Sequence, residues 1–501
     1  MAQPTIEHRL PTRAILVICC IAQFMVVLDV AIVNVALPQM RDSLGLSVAG
    51  QQWVVNAYTL TFAGFLMLGG RAADLFGRRR VFMIGLGVFT ICSLIGGMAQ
   101  SGSWLIAARA AQGIGGAILA PATLSILVTT FTDPGERRRA LGAWSATAAS
   151  GAAVGVLAGG VLTSLLNWRW VLFVNVPIGI VLMIGAWLAL PRNEELGPRK
   201  TLDVFGAITV TGGLAVLVYG IVSTDTHPWG SVQTVVTLVV GLVLLGMFFV
   251  NEARFARDPL IPLGIFRRRS LSVANGIAVT IGSGLFGTYF FLSLYLQDVN
   301  GYSALRAGLA FLPAGVCTLA GALIGTRLVQ VIGARRQLVL GPGLAAVGLF
   351  WLSTIGAGDS YLSHVLGPVI LIGLGIGMSF VPMTLSATAG VPPHEAGLAS
   401  GLINTTRQVG GALGLAIMAT VATTVATNHL VGAHDVAAAL TAGYRAAFAI
   451  AGGGLVVGAL LALALPKLPA AAASHPVVAL EDVLEEAGEP QVAFETSPGE
   501  V

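Results

Sequence analysis

Fourteen stretches of this chain are apolar over about 20 residues or more, the length a helix needs to cross a bilayer. They lie near 14–38, 52–73, 81–99, 104–131, 140–165, 169–190, 203–223, 232–250, 271–297, 304–332, 338–357, 364–388, 397–427 and 443–465. The pattern predicts an all-α polytopic membrane protein, and an even number of crossings puts both ends on one side. Composition agrees, with 55% hydrophobic and 10% charged residues against about 25% charged in ordinary soluble domains. Glycine takes 64 of 501 positions, which suits helices that must approach closely where apolar burial no longer drives association.

Arginine and lysine fix an expected orientation. The loops on the side of both termini hold 19 of the 27 basic residues, whereas the other side holds Arg41, Arg169, Arg306 and Arg445. By the positive-inside rule both termini are expected in the cytoplasm of a cell whose plasma (inner) membrane holds the protein. The first apolar run, behind Arg9 and Arg13, is longer than a signal-peptide core and is expected to remain as a helix. The basic pI follows from this topology, so no nucleic-acid partner is expected. The acidic stretch 466–501 has no apolar period and is expected to be disordered.

An internal repeat divides the chain. "GGRAADLFGRRRVFMIG" from Gly69 matches "GTRLVQVIGARRQLVLG" from Gly325 at six positions with a constant offset of 256, including Gly77/Gly333 and Gly85/Gly341. "PATLS" at Pro121 matches "PMTLS" at Pro382 at an offset of 261. Spans 1–6 and 9–14 therefore read as two halves with two helices inserted between them. The expected organisation is a cytoplasmic N-terminus 1–13, a first six-helix half 14–190, inserted helices with linkers 191–270, a second half 271–465 and the tail 466–501. Repeated halves with a site at their interface are the architecture of secondary transporters.

Polar groups inside spans are few. Asp29 is the one acid well inside a span, where a charged residue costs about 2.5–3.5 kcal/mol on insertion scales and so usually faces a polar cavity or a partner. Asn34 follows on the same helix. Arg109 stands several residues inside the fourth span, with Gln112 one turn on, and can set the proton affinity of a nearby carboxylate or hold backbone carbonyls. Arg407, nearer a helix end, is expected to be structural. Trp53, Tyr58, Phe286 and Tyr289 are candidates to contact a substrate. In "GGRAADLFGRRR", Gly77 makes the turn and the arginines set topology, and a sharper reading makes the segment a gate.

Absences narrow the function. With Lys200 and Lys467 the only lysines, no GxxxxGK[ST] phosphate loop exists, and no HExxH or GxSxG is present. The histidines, His227, His364 and His394 among them, fall in loops or at span edges. Cys19, Cys20, Cys92 and Cys317 lie in spans without ligand-like spacing. No enzyme, metal, ATP or other cofactor is expected.

The motifs together resemble the fourteen-helix drug:proton antiporter branch of the major facilitator superfamily, over about residues 14–465. "LDVAIVNVALP" from Leu28 is similar to that branch's first-helix motif, and "GRAADLFGRRR" from Gly70 to the superfamily's loop between helices 2 and 3. "RAAQGIGGA" from Arg109 resembles the fourth-helix motif, and "WRWVLFVNVPIG" from Trp168 the entry to the sixth helix. One departure is plain: "GAAVGVLAGG" from Gly151, with Gly155, Gly159 and Gly160 as packing glycines, has Val156 where the antiporter motif carries a proline. The resemblance implies an exporter of lipophilic, often cationic, drugs or antibiotics, driven by the proton motive force and monomeric. In it Asp29 and Arg109 couple proton and substrate, with Asn34 and Gln112 lining the cavity. Gly70, Asp74, Gly77, Arg78 and Arg79 would form the cytoplasmic gate. A narrow metabolite carrier, which Val156 keeps open, and a membrane sensor without transport remain alternatives.

Overall fold

The computed structural model describes residues 12–191, 201–225, 227–392, 395–433 and 435–466. The expectations for the extreme N-terminus, the linker 192–200, His394 and the tail from 467 lie outside the described residues.

Among the described residues, twelve helical runs are long and apolar enough to cross a membrane; one of them is two helices joined at a glycine, and the helix Pro134–Leu165 brings the long helices to fourteen. The first six are α1 (Thr12–Leu44), α2 (Val48–Phe76), α3 (Arg78–Gly97), α4 (Gly102–Thr130), α5 (Pro134–Leu165) and α6 (Trp170–Ala189). The inserted pair is α7 (Val204–Val222) and α8 (Val232–Val250). The second half begins with α9 (Arg269–Leu294) and continues with α10 (304–332) and α11 (334–352), one run broken at Gly333. It ends with α12 (Leu366–Thr388), α13 (Ala396–Ala433) and α14 (Val436–Ala462). No strand occurs among the described residues.

The internal repeat recurs in the backbone. Gly77 and Gly333 both turn the chain with positive φ, 90° and 79°, a conformation that only glycine adopts without strain, and each joins two helices with no further loop. Other repeat glycines have matching duties. Gly69 lies against the backbone of Ala117 and Ile118 on α4, and Gly325 lies against Met378 on α12, at the 261-residue offset.

Helix ends follow local chemistry beyond the apolar runs. Asp133 caps α5 by accepting from the amides of Gly135 and Glu136, and Pro134 fills the first turn, where its missing N–H costs nothing. The helix therefore begins six residues before the apolar run does. Helix α5 is continuous, with no proline-type kink at Val156, whose side chain is buried. Its glycines permit close contacts: Gly155 meets the carbonyl of Leu28, Gly159 that of Ile32, and Gly160 the carbonyl of Ala304 on α10. Two adjacent faces of α5 thus join α1 within its half and α10 across the interface.

The second contact between halves runs along α2 and α13, where Leu60, Ala412 and Ala416 cluster with Leu214, Val218 and Val222 of the inserted α7. Gly64 of α2 accepts the Thr211 side chain, so α7 packs over the outside of this seam.

Candidate functional site

Asp29, at mid-length of α1, is 0% exposed, and Arg109 of α4 is 2% exposed. The guanidinium donates from Nη1 to Asp29 Oδ2. The other carboxylate oxygen, Oδ1, accepts from Gln112 Nε2 and from Asn175 Nδ2, each at 2.8 Å. Ser93 of α3 completes the cluster, accepting from Asn175 at 3.0 Å and Gln112 at 3.3 Å while donating to the carbonyl of Leu172. Three donors, one of them the guanidinium, thus converge on one carboxylate.

Arg109 is held by more than its acid. It donates to Gln112 Oε1 at 2.9 Å and to the carbonyl of Val54 at 3.3 Å, and its Cζ sits 4.3 Å from the centroid of the Tyr58 ring. These three contacts hold the guanidinium independently of Asp29.

This placement corrects two expectations. Asp29, expected in a central cavity, does not line the space between the halves: it is fully buried and its partners come from α4 and α6 of its own half. Tyr58 is likewise 0% exposed, beneath Arg109, and offers no face to a substrate. The reason is chemical: a carboxylate and a guanidinium this deep in an apolar bundle are satisfied best by each other and by neighbouring amides. Gln112 belongs to the same cluster. Sequence reasoning missed Asn175 and Ser93, although Asn175 carries the sole amide side chain in the sixth span, which was a usable signal.

The remaining candidates are dispersed. Trp53 packs against Tyr219 of α7, ring centroids 6.4 Å apart. Phe286 lies on Gly411 of α13. Tyr289 stacks on Phe311 at 5.2 Å and lines a small apolar cavity with Leu285, Leu292, Val369 and Ile376 in the second half. Asn34 turns its amide to the carbonyl of Val30, while its own carbonyl accepts from Ser293 of α9. Gly70 faces Pro121 of α4, and Asp74 is exposed at the end of α2. Arg78 donates to Ser125 of α4, and Arg79 to the carbonyl of Trp187 on α6, both at 2.8 Å.

Several hydrogen bonds between the halves lie together at one end. Arg41 meets Asp298 in a two-pronged ion pair at 2.8 and 3.0 Å. Beside it Gln297 donates to the carbonyl of Val35, and the Leu305 amide to Ser164. All lie toward the connections α1–α2, α5–α6 and α9–α10, the side opposite the arginine-rich loops. At the other end Arg71 donates to the carbonyls of Asp258 and Pro259, tying the connection from α8 to α9 onto the end of α2. That contact also lay beyond sequence reasoning, since its acceptors are backbone atoms.

Comparison with known proteins follows this architecture. The family model described as Major Facilitator Superfamily matches residues 19–415. The chain is 45% identical to the cephamycin export protein CmcT of Amycolatopsis lactamdurans, covering 92% of this chain and 93% of that protein. It is 43% identical to the puromycin resistance protein pur8 of Streptomyces alboniger, with 90% of each covered. The lincomycin resistance protein of Streptomyces lincolnensis is 33% identical, again with 90% of each covered. Among solved structures, a bacterial homologue of the human lysosomal transporter Spinster, in an inward-facing and occupied conformation, shares the fold. Its TM-score is 0.66 at 17% identity, covering 92% of this chain and 98% of that one.

Proposed function

The chain belongs to the Major Facilitator Superfamily as a multi-pass transporter akin to antibiotic exporters, and from that premise we propose that it exports lipophilic small molecules in exchange for protons. The observation that supports this reading is the buried cluster of Asp29, Arg109, Gln112 and Asn175, which sets an acid at mid-length of a spanning helix. Proton and substrate need not meet at Asp29. Protonation weakens its bond to Arg109, loosens α4 against α1, and so biases which end of the interface is closed. The bonds at the end bearing Arg41 and Asp298 support a reading in which that end is closed and, on the proposed orientation with both termini in the cytoplasm, the protein is poised toward the cytoplasm. No cofactor enters, and the proposed drive is the proton motive force, at about 1.36 kcal/mol per pH unit and about 2.3 kcal/mol per 100 mV for each net charge moved. Because Arg109 already neutralises Asp29, that acid is not free for a cationic substrate, and the preference for cations loses its basis.

The test is proton movement in proteoliposomes with an internal pH dye, adding lipophilic cations, acids and neutral antibiotics in turn. Wild type is expected to discharge the gradient with some of these and Asp29→Asn with none. Equal proton flux in the variant would remove Asp29 from the coupling, and no flux with any compound in folded wild type would refute exchange.

A further inference from the structure

The second half contains a cation to which the proton cluster gives no task. Arg407 stands eleven residues into α13, about 16 Å along the helix from Ala396. Between Leu271 and Ala462 the acids are Asp298, Asp359, Glu395 and Asp435, each in or beside a connection between helices, so the core of this half offers Arg407 no carboxylate. Its Nη2 donates to Asn404 Oδ1 at 3.0 Å, and its Cζ lies 5.3 Å from the centroid of Phe380 on α12. Its Nε is buried with no partner among the described residues.

The direction of this group follows from the helix. Gly410 and Gly414 close one side of α13 onto Val279 and Ser283 of α9. Ile417, 46% exposed, marks the lipid side, and thirteen residues at about 100° each put Asn404 roughly 140° away from it. Asn404 is exposed, and Gly401, one turn before it, touches Met67 of α2 in the other half. Gly401 and Asn404 therefore look toward the space between the halves, and Arg407, about 60° round the helix from Asn404, is linked to that edge through its bond to Asn404. A cation without a counter-charge persists at membrane depth where it meets water or a ligand. Arg109 and Asp29 cancel each other inside the first half, so Arg407 is left without a charge of opposite sign beside it among the described residues.

We propose that Arg407 and Asn404 form an anion site on the transport path that takes a carboxylate of a lipophilic substrate. This rests on the export reading above and names its substrate class. The guanidinium edge bearing the free Nε presents parallel N–H donors to a planar carboxylate, Asn404 orients the fork, and the Phe380 ring accepts the neighbouring apolar part of the ligand. Export of a monoanion against an entering proton moves two charges in the same electrical sense, so the membrane potential drives it more strongly than it drives the export of a neutral compound.

The experiment is uptake into proteoliposomes energised by a pH gradient and a potential, using benzylpenicillin as a lipophilic carboxylate, its methyl ester as the uncharged match, and tetraphenylphosphonium as the cation. Wild type, Arg407→Gln and Arg407→Lys are compared. The proposal expects wild type to prefer the acid over its ester, Arg407→Gln to lose at least tenfold on the acid and less than threefold on the ester, and Arg407→Lys to keep most acid transport. It is overturned if acid and ester fall together in Arg407→Gln, which marks a structural arginine. It is also overturned if wild type moves the ester or the cation but not the acid, an outcome that leaves export standing. Transport of none of the three by folded wild type removes the export reading itself and this proposal with it.

Discussion

Replacing Asp298 by asparagine should open the end of the interface that Arg41 holds shut. The pair is bidentate, at 2.8 and 3.0 Å, with Asp298 12% and Arg41 31% exposed. Charge-assisted hydrogen bonds are worth about 1.5–3 kcal/mol each in favourable settings, and partial exposure screens this one toward the lower end. In the open state both side chains are hydrated and the interaction is absent. Its loss, about 1.5 kcal/mol, therefore falls wholly on the closed state and shifts the ratio of closed to open roughly tenfold. Asp42 also touches Arg41, at 3.0 Å, but is 70% exposed, so Asp42→Asn should leave the balance nearly unchanged. Spin labels at Ser103 on the first half and Ala357 on the second, in a background without the four native cysteines, report the separation by pulsed dipolar spectroscopy. The long-distance population should rise in Asp298→Asn. Raising salt from 0.1 to 1 M, which shortens the Debye length from about 10 to 3 Å, should push wild type the same way and leave the variant unmoved. An unchanged distribution in Asp298→Asn, or one shifted toward closure, would refute the latch.

Other substitutions probe the packing and the strap. In Gly160→Val the new Cβ would stand 2.7 Å from the carbonyl of Ala304, so overpacking should cost about 1–3 kcal/mol and lower the melting temperature; unchanged melting would mean α5 and α10 lie further apart. Asn175→Leu strips one donor from Asp29 and one from Ser93, and a buried polar group left unsatisfied costs about 1–3 kcal/mol, again read by melting, with Asn175→Ser expected to be milder. Arg71→Ala frees the carbonyls of Asp258 and Pro259, and limited trypsin should then cut after Arg254 and Arg257 several-fold faster; equal rates would show that Arg71 does not hold this connection.

Much of the fold is legible in the chain because lipid allows so few solutions. All fourteen apolar runs are helices, and the matched arginine loops at Gly77 and Gly333 adopt the same turn, since a repeated glycine marks a repeated backbone need. Helix ends were less legible. Helix α1 runs on to Leu44 through Pro38, and α5 starts at its capped polar turn, because hydrophobicity locates membrane and not hydrogen bonding. The site was legible by residue type and not by direction. Asp29 and Arg109 stand out in the sequence as rare charges, yet nothing in their spacing says that they satisfy each other inside one half. Arg407, expected to be structural, differs from Arg109 in that no acid among the described residues is paired with it.

The central claim is that the Asp29 cluster exchanges a proton as substrate binds, and counting that proton tests it most directly. Purified protein in weakly buffered detergent solution is titrated with the compound that discharges the pH gradient best, while a dilute pH dye reports release. The account predicts about one proton released per substrate bound in wild type and none in Asp29→Asn, since linked binding must displace what it opposes. Substrate binding with no release in wild type, or undiminished release from Asp29→Asn, would contradict it.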